Sequence, residues 1–445
     1  MRRRAGDARR LRGTRPVLPE GGQRRLRRHP LRPRPRLRPG EHRLSGTATV
    51  TARATEDLSA FNLDLKGLRV ERVTVEGRAA RFNHTGQELT VRPPVDLDKG
   101  ERFRAAVRYS GSPVTITDPD GSQEGWLRTA DGALALGQPT GSMAWFPGNH
   151  HPSDKATYDL TVTVPEGLAA VSNGKPAGER TAGGRTTYRW RTAEPMASYL
   201  ATVAIGDWDV RRSSGPRGLP VLTAVDPQQV KASRPVLAKI PEVIAWGEER
   251  FGPYPFSSAG AIVDRPQDIG YALETQTRPV FPGAPDTVLL VHELAHQWFG
   301  TPSHRRPGGT CGSTRASPRT RSGCGRRTTA ATARRRSSTR CTRAATSRGG
   351  GERGGLGVPA RRSARRRAHL RRPVYQRGAM VLHKIRQKTG DAAFRDLLKG
   401  WAAAHRHGNA DTGDFTAYVE RRAPDEDFSD VWDDWLYGEG RPDRP

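Results

Sequence analysis

Cysteine is scarce in this chain: Cys311, Cys324 and Cys341 are the three among 445 residues. They form no CxxC pair, which excludes a zinc ribbon and a disulfide framework. Long apolar runs are also missing. No stretch reaches the roughly 18 residues that a membrane-spanning helix needs, so no span is expected. Arg2, Arg3 and Arg4 open the chain, but no apolar segment follows them. No secretory leader is therefore read, and the cytoplasm is the default compartment, with secretion left open if the true N-terminus is lost.

Phe, Tyr and Trp are absent from residues 1–40 and 301–372, and the only acids there are Asp7, Glu20 and Glu352. The two windows hold 15 and 21 Arg, for charges of +13 and +20, within a chain of formal net charge +29. The other 333 residues therefore sum to −4. A total that suggests a polyanion binder thus resolves into two arginine-rich windows and a mildly acidic remainder. Single-stranded nucleic acid is gripped by aromatics interleaved with arginine, and there are none, so no specific nucleic-acid partner is expected. Without apolar surface to offset chain entropy, both windows, 1–43 and 301–372, are expected to be disordered.

A structureless stretch of that length inside a compact domain argues for a special origin. Out-of-frame translation would account for the missing acids and aromatics, the arginine excess and the stray cysteines together. A neighbouring frame of one GC-rich encoding of 312–325 reads as an aromatic-rich helix with a glutamate. Residues 15–39 permit a similar reading.

Ordinary protein lies between and after the windows. Thr47, Thr49 and Thr51 alternate with Ala48, Val50 and Ala52, which predicts a strand. Further short β patterns follow at Leu63–Leu65, Val70–Val75, Leu89–Val91, Phe103–Tyr109, Ala156–Val164 and Tyr199–Ile205, with turns read at Asn83–His84 and Lys99–Gly100. Residues 44–205 are therefore expected to form an antiparallel β domain. From Asp209 onward the signals are helical. Helices are predicted over Pro235–Phe251, over 286–299 with Asp286 as cap, over Tyr375–Lys388 ending at Gly390, and over Ala392–His405, Phe415–Arg422 and Phe428–Leu436. The fold class is thus α+β: an N-terminal antiparallel β domain, then a mostly α catalytic domain over 206–445, interrupted at 301–372.

His292-Glu293-Leu294-Ala295-His296 is an HExxH motif. On a helix, positions i and i+4 share a face, so both imidazoles can reach one metal. Glu293 can then act on a water that the metal acidifies. Two solvated surface histidines would fit the spacing too, but Val288, Leu289, Leu290 and Val291 make this a buried helix, where unpaired imidazoles are unwelcome.

Val291-His292-Glu293-Leu294-Ala295-His296-Gln297-Trp298-Phe299-Gly300 resembles the zinc helix of the aminopeptidase N family of gluzincin metallopeptidases. Gly270-Tyr271-Ala272-Leu273-Glu274 is similar to that family's exopeptidase motif, with Leu273 for Met and Thr275 for Asn. Tyr375-Gln376-Arg377-Gly378-Ala379 is similar to its tyrosine segment. Gln138-Pro139, Trp145-Phe146-Pro147 and Lys155-Ala156-Thr157-Tyr158 resemble its cleft edge. The resemblance covers residues 41–300 and 373–445, a short form without the family's C-terminal helical-repeat domain.

It implies a thermolysin-like catalytic domain and a zinc-dependent aminopeptidase that cuts N-terminal peptide bonds. The site residues it implies are His292 and His296 on one zinc ion, Glu293 as general base and Tyr375 as oxyanion donor. Glu274 would sit on the substrate's α-ammonium, with Gly270 and Gln138 lining the first pocket. The implied partners are peptides with a free N-terminus. One departure stands out. The family's third ligand is a glutamate after eighteen intervening residues, and that position is Arg315. A guanidinium has no lone pair to give, so weak zinc binding and impaired activity are expected. The alternative is a catalytically inactive, peptide-binding relative.

Overall fold

The computed structural model describes the strands Leu26–Pro33 and Arg36–Arg38 and residues 43–118, 121–300, 372–438 and 442; the side chains of 26–38 and 372–375 are outside the description. Alternation over Arg43–Ala54 buries Leu44, Ala48, Val50, Ala52 and Ala54 on one face. Period-2 patterning of this kind gives a strand one packed and one wetter side. The strand pairs antiparallel with Arg102–Gly111, and Lys155–Pro165 pairs antiparallel with Arg185–Ala197, all within a nine-stranded sheet. Five- and three-stranded sheets pack beside it.

Two expectations for this region need correction. Disorder was expected over 1–43, yet Leu26–Pro33 and Arg36–Arg38 each pair antiparallel with Arg43–Ala54 and parallel with Lys155–Pro165. Composition misses this because backbone groups bond to a neighbouring strand whatever side chains they carry. The turn read at Asn83–His84 lies instead at residues 86–87, beyond the strand Arg81–Thr85, where Gly86 takes φ 65°.

A four-stranded sheet follows, in the order Asp209–Ser214, Pro220–Val225, Ala259–Asp264, Val280–Pro282. Its first pair is antiparallel and the other two are parallel. The sequence reading found only helices here. Ala259–Asp264 is buried at every position, and a strand covered on both faces shows a continuous apolar run without alternation.

Helices α1 (Val230–Leu237) and α2 (Ile240–Phe251) replace the single helix predicted over Pro235–Phe251. Pro241 stands in the first turn of α2, where proline is at home, while Pro235 lies inside α1. Helix α3 is Thr287–Ala295, α4 is Arg372–Ala404 with a break at Gly390 (φ 76°), and α5 is Thr412–Arg422. A π-helical turn, Val431–Tyr437, follows. Among the described residues no helix is long and apolar enough to cross a membrane.

Two apolar cores share the four-stranded sheet. Leu222, Ala224, Ile262 and Val280 face the core of the β sheets. Val221, Val225, Ala261, Val263 and Phe281 face a second core built with α2, α3, α4 and α5.

Candidate metal centre

Asp286 caps α3 as the sequence suggested, accepting from the backbone N–H of Leu289 at 2.7 Å. The regular helix stops at Ala295, short of the predicted 299. Beyond it, the N–H groups of Gln297, Trp298 and Phe299 donate three residues back, to Leu294, Ala295 and His296. The last turn is thus tightened to the narrower pitch common at helix ends. Gly300 closes it with φ 103°, and a Cβ there would lie 3.2 Å from His296 Nδ1. Left-handed backbone and imidazole together require glycine at this position.

Glu274, Glu293 and His296 are buried, and their ligand atoms lie within 4.8 Å of one another. The half-buried His292 stands alongside, its ring centroid 5.1 Å from that of His296 with the planes at 83°. His292 Nε2 lies 4.0 Å from Glu293 Oε1. His296 Nδ1 is 3.1 Å from the carbonyl oxygen of Phe299. A carbonyl only accepts, so Nδ1 carries the proton and Nε2 keeps its lone pair. That tautomer, fixed by an outer hydrogen bond, is the one a metal-bound histidine needs. Two imidazoles beside carboxylates suit zinc's preference for nitrogen and oxygen donors.

Glu274 begins a tight loop. Leu273 donates to the Val280 carbonyl at 3.0 Å and Val280 donates back at 2.9 Å. Between them Thr277 adopts φ 67°, uncommon for a β-branched residue. Gln297, fully buried, reaches this loop: its Oε1 accepts from Thr277 N–H at 2.8 Å and its Nε2 donates to the Thr275 carbonyl at 3.4 Å. From the β domain, Asn173 Nδ2 donates to the Gln276 carbonyl at 2.7 Å, and Gly174 N–H donates to Thr277 Oγ1 at 2.8 Å. Arg278 is buried, donating to the carbonyls of Ser172 and Gly174 at 2.8 and 2.6 Å, with its guanidinium 4.8 Å from the Trp190 ring. Burial pushes Arg278 down to about 9, still cationic at neutral pH.

A family model described as the Peptidase M1 N-terminal domain matches residues 27–200. Solved structures agree with it. The M1 zinc metallopeptidase from Deinococcus radiodurans superposes with a TM-score of 0.87 at 25% identity, covering 96% of this chain and 98% of that one. A mutant of the same enzyme, bound to Tyr-Ser-Ala substrate, superposes equally well (TM-score 0.87).

The fold is that of the M1 zinc metallopeptidases, with an M1 N-terminal domain over residues 27–200.

Among curated M1 relatives, aminopeptidase B of Rattus norvegicus is 28% identical over 232 residues, which is 49% of this chain and 34% of that protein. Leukotriene A-4 hydrolase of Xenopus laevis is 24% identical over 283 residues, or 58% and 44%. The chain spans less than half the length of these curated relatives. The domain match begins at residue 27, inside the first basic window.

The site residues named from the sequence sit as follows. Glu274, Glu293 and His296 converge, with His292 alongside His296 and Glu293. Gly270 is exposed in the loop that leads to Glu274, and the half-buried Gln138 follows the strand Ala133–Leu136 at a cis Gln138–Pro139 bond. Tyr375 lies in the first turn of α4, its side chain outside the described set. Arg315, the three cysteines and all but the last residue of the segment 301–372, where disorder was expected, also lie outside the described residues; Arg372 opens α4. Gln297, Asn173 and Arg278 had no role in the sequence reading. The one available signal was a polar Gln297 amid the apolar end of the motif.

Proposed function

We propose that this chain is a zinc-dependent aminopeptidase acting on peptides with a free N-terminus. The observation that carries the reading is the convergence of Glu274, Glu293 and His296 within 4.8 Å, with His292 beside them. His292 and His296 would hold the ion. Zinc bound there would polarise the scissile carbonyl and acidify the attacking water.

The chain's own residues supply the rest. The Glu293 carboxylate takes a proton from the attacking water and returns it to the departing amine. Glu274 receives the substrate's α-ammonium in a charge-assisted contact, which confines attack to the first peptide bond. The Tyr375 O–H donates to the developing oxyanion. Gln138 and Gly270 border the first side-chain pocket.

Arg315 stands where a third ligand is needed, so zinc binds weakly and turnover is low in this sequence. The same observation supports a second reading, a peptide-binding protein without catalysis. Bound zinc and hydrolysis of an amino-acid arylamide, measured on the purified chain, separate the two. The peptidase reading expects slow hydrolysis that a chelator stops and added zinc restores. Tight peptide binding with no hydrolysis at saturating zinc would leave only the second.

A further inference from the structure

We propose that Gln297 is the positioning residue that sets Glu274 against the metal helix, and so fixes the preference for a free α-ammonium. The inference rests on the reading of Glu274 as the ammonium partner. Gln297 directly follows His296, and its amide holds two points of the loop that Glu274 begins: the Thr275 carbonyl and the Thr277 N–H. The histidines and the glutamate are thereby spaced by one side chain. The loop is pinned from the other side by Asn173 and Gly174. Thr277 keeps its unfavourable φ of 67° because both sides hold it.

A buried amide with its donor and acceptor both engaged cannot be swapped for an apolar side chain without freeing the loop. Misplacement of a binding group by about 1 Å can cost on the order of 100-fold in a precisely set site. Gln297 itself touches no substrate in this scheme.

The test is binding of L-arginine against N-acetyl-L-arginine by calorimetry, which needs no turnover. The parent should prefer the free amine. Gln297→Met, similar in length but without hydrogen bonds, should lower that preference about tenfold or more and leave the acetylated form's affinity nearly unchanged. Gln297→Glu keeps the acceptor for Thr277 N–H and should retain most of the preference. Folding is checked by thermal melting of each variant.

If the parent shows no preference, the reading of Glu274 fails and the inference falls with it. If the parent discriminates and Gln297→Met does so equally, or loses both ligands alike, only the inference is overturned. Collapse of both variants would make Gln297 a core residue and also overturn it.

Discussion

Glu293 and Asp264 are both buried carboxylates, and their surroundings give them different work. Glu293 faces two imidazoles and Glu274. Replacing it with Gln keeps shape and removes the base, so kcat should fall by about 10²–10⁴. Zinc content should stay unchanged, and arylamide kinetics with metal analysis checks both. Asp264 accepts from Arg265 N–H at 2.8 Å, but burial first, and then Asp268, Asp131 and Asp226, push its carboxyl up to about 7 from an ordinary 3.8. The native state therefore binds the extra proton between those values. Its stabilising effect is fully present below pH 4 and is lost as pH rises through 7. Asp264→Asn should accordingly stabilise the fold more at pH 8 than at pH 5, by on the order of a few kcal/mol at most, as denaturant unfolding at the two pH values would show. A pH-independent difference between parent and variant would contradict this.

Legibility differed sharply between individual residues. His292, Glu293 and His296 were readable because helical spacing alone puts them on one face. Glu274 needed resemblance to a family motif. Gln297 was unreadable, since its bond to Thr277 crosses 20 residues of chain and no local pattern encodes it.

For the elements, patterning succeeded where one face meets water. The alternating strand at Arg43–Ala54 and the Asp286 cap of α3 were both foreseen. The buried parallel strand Ala259–Asp264 was not, because burial on both faces erases the alternation. Helix α2 shows how tightly these elements meet. A Cβ on Gly247 would come within 2.5 Å of the Trp298 ring. That ring is hemmed in by Phe251 and Tyr254, with centroids at 5.8 and 5.2 Å. Alanine would gain about 1 kcal/mol of helix propensity, while overpacking against a ring that cannot retreat costs about 1–3 kcal/mol. Gly247→Ala should thus destabilise, as a lower denaturant midpoint would show. The second basic window belongs to this scale too. Its coding DNA should carry compensating insertions or deletions around residues 301–372, and an uninterrupted frame would refute the out-of-frame origin.

Across the whole molecule, the β region and the helical region are bound by more than side chains at a seam. Lys155 Nζ donates to the Gly408 carbonyl at 2.7 Å and Asn409 Nδ2 donates to the Ser153 carbonyl at 2.7 Å. Ser257 N–H donates to Glu194 Oε1 at 2.8 Å. More decisively, the four-stranded sheet gives one face to each core. Scanning calorimetry should therefore record one cooperative transition for the described fold; two resolved peaks would count against a shared core. The same sheet forbids a tempting shortcut in the laboratory. A gene fragment cut near position 206 to produce the catalytic half alone would leave Leu222, Ala224, Ile262 and Val280 as a bare greasy wall, and the product would be recovered from inclusion bodies rather than from the soluble lysate.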